Sequence, residues 1–410
     1  MTERRASRRT QAASLSRDSG DVSSGATAFS SRPAPAAARL ANERLILALL
    51  RRHGPMSKIE AARQTGLSAQ TAAALMNRLA ADGLIGRLDP TRGRVGQPAV
   101  PYALAPEGAF SIGLKNGRRS CNLVLVDFTG ALRWRAHRTF AWPTPAVLLA
   151  FVRQALPQAL GSLDARQRQR VAGLGLATPF ELWNWGDLIG APKGAMDVWR
   201  GFDIKAEIAA LSPLPVTLCN DATAACAAEL FFGQGWRQRD FAYFFVGSFI
   251  GGGIALDGVL YPGRSGNAGA FGSMPISAAG GATQQLIQRA SIYQLESRLR
   301  AAGVDPSSIW ETPEAWDDFG GHLDAWIAGA AEALALASLA AISVIDFEAI
   351  IIDGAMPAGV RAKLTVRVAQ ELGKLDHQGL SPVSVQVGTI GPDARALGGA
   401  ALPLLAQFGH

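Results

Sequence analysis

"PVTLCNDATAACAAELFFG", residues 215–233, decides how the chain folds. A short β run ends on Asn220 and Asp221 and passes without a loop into a helix of small residues. That is the signature of an α/β sheet with its polar residues at the carboxyl end of a strand, where such proteins keep a ligand or a general base. Whether Asp221 is a catalyst or the remnant of one depends on what the rest of the chain brings beside it.

The same alternation runs outward in both directions. Strands are expected at 110–114, 120–127, 132–140, 170–176, 215–219, 241–246, 251–256, 349–353 and 384–389. Helices are expected at 145–160, 203–211, 222–232, 283–302, 323–345, 357–373 and 397–407. Three consecutive strands followed by mixed αβ units occur twice, which predicts two similar α/β lobes over 105–410. The cleft between such lobes is the default ligand site.

Residues 39–104 read differently. A first helix spans about 40–53, with Leu45, Ile46, Leu49 and Leu50 on one face. Ser57 and Glu60 form a capping box for a second helix. After "TGLS", Ser68 caps a third helix with Ala72, Leu75, Met76 and Leu79 at helical spacing. "LIGRL" and "PAVPYAL" flank "DPTRGRVGQ" as two strands of a wing. The whole is a winged helix-turn-helix. Residues 1–38, rich in Ser, Ala, Arg, Gly and Pro, read as a disordered basic tail.

Charge supports a polyanion partner for the N-terminal part. Residues 1–110 hold 16 Lys/Arg against 8 Asp/Glu, while the whole chain is only +7, so the remainder is near neutral. Residues Ser68, Ala69, Gln70 and Thr71 open the third helix, with Asn77 and Arg78 further along, and these are the candidates for the major groove. Gln70 has the geometry to pair bidentately with adenine. Lys58 is a candidate phosphate contact, and Arg92, Arg94 and Gln97 of the wing suit a narrow minor groove. The apolar stripe alone fits a helical packing module equally well; the basic excess and the Arg-Gly wing favour double-stranded DNA.

Three Cys, at 121, 219 and 226, form no CxxC or CxC pair, which argues against a disulfide framework or a thiolate zinc site. The N-terminus has no apolar signal region, and the Ala-rich stretch 327–345, interrupted by Glu332, reads as a buried helix. A cytoplasmic protein is the expectation.

At this point the chain resembles a known family. The order "GRVGQP" (93–98), "LVLVDFTGAL" (123–132), "VAGLGLATP" (171–179), the 215–233 stretch, "GSFIGGGIALDGVLYPGRSGNAGAFGSMPI" (247–276) and "IIIDGAM" (350–356) is similar to the ROK family of repressors, open reading frames and sugar kinases, in its regulator branch. The resemblance implies a mainly α winged helix-turn-helix followed by a two-lobed actin-like ATPase domain of the ribonuclease H-like type. In the family's kinases the cleft binds a sugar and the Asp matching Asp221 takes the proton from the attacking hydroxyl.

The departures from that pattern decide the functional expectation. The family's DxGGT-type phosphate loop falls on Lys115, Asn116, Gly117, Arg118 and Arg119, so a lysine stands where the magnesium-serving acid belongs, and a lysine cannot ligate a hard cation. In the second phosphate loop Phe249 replaces a glycine. The family's GxAGEIGH pattern appears as Gly266 to Ser273, with Ala270 in place of the sugar-binding Glu and Ser273 in place of the His that serves sugar and zinc. Ile287 falls where a further Glu belongs, and the zinc loop has no Cys. Phe180 stands where glycine is usual.

Asn220 and Asp221 remain, either to hydrogen-bond a ligand or to cap the helix read as starting at Ala222, or both. Together with Asn267 and Gly269 they are the candidate effector-binding residues. The expectation is a DNA-binding regulator, a repressor of carbohydrate-related genes, acting as a homodimer or homotetramer on operator DNA, controlled by a sugar or derivative, with no catalytic residue, metal or cofactor. A sugar kinase carrying a DNA-binding domain, and a regulator that needs no effector, are the alternatives.

Overall fold

The computed structural model describes residues 35–90, 100–186, 190–277, 281–311 and 316–409. Helix α1 (Pro35–His53) begins within the stretch read as tail, so residues 35–38 are helical; residues 1–34 lie outside the described residues. Helix α2 (Lys58–Thr65) starts on the expected capping box, with Ser57 Oγ accepting from Glu60 N–H and Glu60 accepting from Ser57 N–H at 2.7 Å. Helix α3 (Ala69–Ala81) is capped by Ser68. Strands β1 (Ile85–Arg87) and β2 (Tyr102–Leu104) pair antiparallel as the stem of the wing. The apolar stripe of α3 closes a small core with Ile46, Leu47, Leu50 and Met56.

The two lobes are topological copies. In the first, β3 (Phe110–Asn116), β4 (Ser120–Asp127), β5 (Leu132–Thr139), β6 (Val171–Thr178) and β7 (Val216–Asn220) lie in the order β5-β4-β3-β6-β7. In the second, β8 (Phe241–Val246), β9 (Gly251–Leu256), β10 (Val259–Tyr261), β13 (Ala349–Gly354) and β14 (Ser384–Val387) take the order β10-β9-β8-β13-β14. In each sheet three strands meander antiparallel and two join in parallel through crossover helices. The parallel central strands are buried on both faces and therefore read as continuous apolar runs, such as "FAYFFV" in β8. A small hairpin, β11 (Pro275–Ser277) and β12 (Thr283–Gln285), stands apart.

The longer helices are α4 (Pro145–Gly161), α5 (Asp221–Phe231), α6 (Ile292–Ala301), α7 (Gly320–Val344), α8 (Ala358–Leu372) and α9 (Ala394–Phe408). The helix expected over 283–302 is broken. Thr283–Gln285 is strand, a single turn follows, and Ser291 is extended before α6 starts. Tertiary demand overrides propensity here: Ser291 Oγ accepts from Ile250 N–H at 3.0 Å, and its carbonyl accepts from Trp326 Nε1 at 3.1 Å. Helix α7 is long and apolar enough to cross a membrane by length and composition, the one such helix among the described residues, and about half of its apolar window is buried inside the protein. It packs along α8 as a core helix.

The last helix, α9, returns from the second lobe to the first and lies on β3, β6 and α5. Glycines set this crossing. A Cβ on Gly398 would lie 1.8 Å from the Ala224 carbonyl oxygen of α5, and one on Gly113 would lie 2.1 Å from the Ala396 carbonyl oxygen. Backbone cannot yield as a flexible side chain does, so Gly398→Ala is expected to cost about 1–3 kcal/mol or more through overpacking. Chemical denaturation measures it; a midpoint equal to wild type would show that the helices slide apart without cost.

Candidate functional site

Two surfaces hold the residues singled out by sequence. On the first, α3 buries Ala72, Leu75, Met76 and Leu79 and turns Ser68, Ala69, Gln70, Thr71, Asn77 and Arg78 to solvent. Their freedom differs. Ser68 Oγ accepts from Thr71 N–H at 3.1 Å and lies 2.8 Å from its hydroxyl, so both serve the cap. Lys58 donates to Asn77 Oδ1 at 2.6 Å, which ties α2 to α3 across the turn. Arg78 pairs with Glu43 of α1 at 3.5 Å and Asp82 at 3.9 Å. Gln70 makes none of these contacts and is exposed. Arg92, Arg94 and Gln97 lie outside the described residues.

The second surface is the cleft between the lobes, a cavity of about 590 Å³. Asn220, Asp221, Asn267 and Gly269, distant in sequence, all line it. So do Ala270, Ser273 and Ile287, the positions where the resemblance places lost acidic and histidine groups. Asn220 is the side-chain cap of α5, its Oδ1 accepting from Ala222 N–H at 3.0 Å and Thr223 N–H at 3.4 Å. The helix starts one residue earlier than expected, at Asp221, so capping falls to Asn220 alone. Asp221 instead accepts from Arg395 Nη1 at 3.2 Å, and both side chains are buried. Arg395 sits at the start of α9, 174 residues away in sequence, and its guanidinium lies 4.9 Å from the Phe245 ring centre. Gly269 has φ +76°, and a Cβ there would lie 2.6 Å from the Cα of Gly253; its role is close packing of the loop on β9.

Aromatic rings make the walls. Phe180, Trp183, Trp185, Trp199 and Phe202 come from one stretch of the first lobe, a cluster visible in the sequence that periodicity did not flag. Phe249 packs between Trp185 and Tyr293, with ring centres 5.1 Å from each. Arg118 lies over Phe249 at 4.1 Å and Trp185 at 5.0 Å, and its Nε is buried with no hydrogen-bond partner. Burial pulls its guanidinium down to about 10, with the Asp221 charge acting against the fall. This stack separates the cavity from a second one of about 470 Å³, lined by Arg119, Ser248, Tyr293 and Arg300, so Phe249 and Arg118 plug the passage between them.

Lys115 does not reach either cavity. Its Nζ donates to Ser120 Oγ at 3.0 Å and to Asn122 Oδ1 at 3.4 Å, and burial together with the Arg395 charge lowers it to about 7. The thiols are inert to nucleophilic chemistry: burial raises Cys121 to about 11 and Cys219 to about 12. No group of three or more His, Cys, Asp or Glu able to hold a metal occurs among the described residues.

The ROK family profile matches residues 111–404, and a winged helix-turn-helix DNA-binding profile matches residues 39–85. The chain belongs to the ROK family. A xylose repressor of Bacillus subtilis is 22% identical over 235 residues, which is 57% of this chain and 60% of that protein. Among solved structures, a ROK family transcriptional regulator, described as a homologue of the Escherichia coli MLC protein, superposes with a TM-score of 0.63 at 20% identity, covering 91% of this chain and 97% of that one. A ROK family glucokinase from Streptomyces griseus superposes with a TM-score of 0.56 at 21% identity, covering 72% and 99%. At these identities the structural likeness speaks for the fold: a winged helix-turn-helix followed by the two-lobed actin-like domain that this family's regulators and kinases share.

Proposed function

We propose that this ROK protein is a DNA-binding transcriptional regulator, a repressor of carbohydrate-related genes, whose inter-lobe cavity senses a sugar or sugar derivative and transfers no phosphoryl group. The observation that carries this reading is the Phe249–Arg118 plug. A kinase needs an open line from the hydroxyl to the γ-phosphate and a metal to neutralise the charge that develops; the family resemblance puts Phe249 on that line and Lys115 in place of the metal-serving acid, and the packing of the Phe249 ring between Trp185 and Tyr293 under Arg118 supports this reading. The repressor names carried by relatives, and the exposed face of α3, favour operator DNA as the partner. A two-fold homodimer, or a tetramer built from it, fits paired half-sites.

The geometry supplies a route from cavity to DNA reader. Helix α5 begins at the cavity floor with Asp221, which pairs with Arg395 at the start of α9, and both helices end against α1. An effector that prefers one lobe arrangement would shift the position of α1 by its differential affinity.

Genomic footprinting of the bound chain followed by gel-shift titration with sugars and sugar phosphates tests the reading. Sugar-dependent ATP turnover abolished by Asp221→Asn would overturn it. Gln70→Ala is expected to lose about 1–3 kcal/mol of discrimination at one base pair of the half-site. Affinities across single-base operator variants check this; a uniform loss across all variants would show that Gln70 contacts backbone only.

A further inference from the structure

A cavity of about 340 Å³ lies far from the cleft, where the winged helix-turn-helix unit meets both lobes. Its walls are Leu230 and Phe231 at the end of α5, Leu402, Leu405 and Phe408 on α9, and Leu260 on β10. Its rim on the α1 side is Arg44, Arg51 and Arg52, and among the described residues no Asp or Glu lines it. The carboxylate on the adjoining turn, Asp257, is engaged by Arg239. Three cations over an apolar floor, with no counter-charge among the described residues, is an arrangement that costs free energy unless something compensates it.

Two of the three are pinned. Arg44 donates to the Gln407 and Ala406 carbonyls at 3.2 and 3.0 Å, which fixes it at the C-terminal end of α9. Arg51 donates to the Phe128 carbonyl at 3.1 Å and lies 3.8 Å over the Phe231 ring. Its Nε is buried with no hydrogen-bond partner. Arg52 makes no hydrogen bond or ion pair within the described residues. Burial, with repulsion from Arg52, lowers Arg51 to about 9, and burial lowers Arg52 as well. An anion at the rim would relieve both the repulsion and the unmet donors.

We propose that this cavity binds a small amphipathic carboxylate, its head on Arg52 and Arg51 and its apolar body against Leu260, Leu402 and Leu405. The volume lies at the small end of ligand pockets, and their usual make-up, mostly apolar with a few placed polar groups, is met. Because the walls come from the DNA-reading unit, the first lobe and the β9–β10 turn of the second, occupancy favours the arrangement that holds all three together. That consequence for operator binding rests on the regulator reading, whereas the binding itself does not.

Isothermal titration calorimetry of the full chain with octanoate, octan-1-ol and acetate is the test. Octanoate is expected to bind at least tenfold more tightly than either control, since the alcohol lacks the charge and acetate lacks the body. Arg52→Ala, at the rim, is expected to weaken octanoate at least tenfold without lowering the melting temperature. Leu405→Trp, which fills the floor, is expected to abolish binding. No octanoate binding to wild type, equal affinity for octan-1-ol, or octanoate affinity unaltered in Arg52→Ala would each overturn the proposal.

Discussion

Arg395→Ala is expected to destabilise the two-lobed domain by about 3–5 kcal/mol, the usual consequence of leaving one member of a buried ion pair alone. Arg395 and Asp221 are both buried and joined at 3.2 Å, and Arg395 is the cation that reaches the Asp221 carboxylate with a hydrogen bond. Removing it leaves a carboxylate at the cavity floor without its hydrogen-bonded partner, with only the charges of Arg118 and Lys115 acting on it from further off. A loss of this size corresponds to a melting-temperature drop on the order of 10 °C for a unit of this length. Asp221→Ala with Arg395→Met, which removes both charges, is expected to recover most of it, because replacing a buried pair by apolar groups is often close to neutral. Thermal denaturation of the two single variants and the double variant gives the coupling directly. A single-variant loss below about 1 kcal/mol would mean that the pair is as weak as a surface bridge, and that Asp221 is free to serve a ligand.

The second large effect is a pH dependence centred on Lys115. Its folded-state value is lowered to about 7 from an ordinary 10.5, first by burial and then by the Arg395 charge. Between these two values the unfolded chain holds a proton on this group that the folded chain does not. Stability contributed through Lys115 therefore rises with pH across that window, by at most about 1.4 kcal/mol per pH unit, and is level below pH 7, where both states are charged. The sign is opposite to that of a lysine held in a salt bridge. Lys115→Met is expected to remove the term, so the stability difference between variant and wild type narrows steadily from pH 7.5 to 10. Chemical denaturation at four pH values follows it. A pH-independent difference would show that Lys115 stays charged in the fold, its charge met by Ser120 and Asn122.

Much of this protein follows from local chemistry and was legible in the chain. The capping box at Ser57 and Glu60, the apolar stripe of α3 and the alternation of β and α runs act over a few residues, and each produced the expected element. The candidate effector residues also meet in one cavity, because strand ends and the loop before β11 are set by the order of the sheets. Where a local signal competed with a distant one, the distant one won. Residues 283–302 have the composition of one helix, yet Ser291 is drawn out to receive Ile250 N–H and Trp326 Nε1, and the helix breaks there.

What sequence by itself determined is therefore the architecture: a small basic helical unit ahead of two α/β lobes of the ROK family. What only tertiary structure decided is the chemistry at the cleft floor. Arg395 is 174 residues from Asp221, and no periodicity or spacing links them. They meet because α9 crosses back onto the first lobe over Gly113 and Gly398, where carbonyl oxygens lie too close for any side chain. Asp221, which alone reads as a base awaiting a substrate, is in the fold a carboxylate already neutralised by its partner.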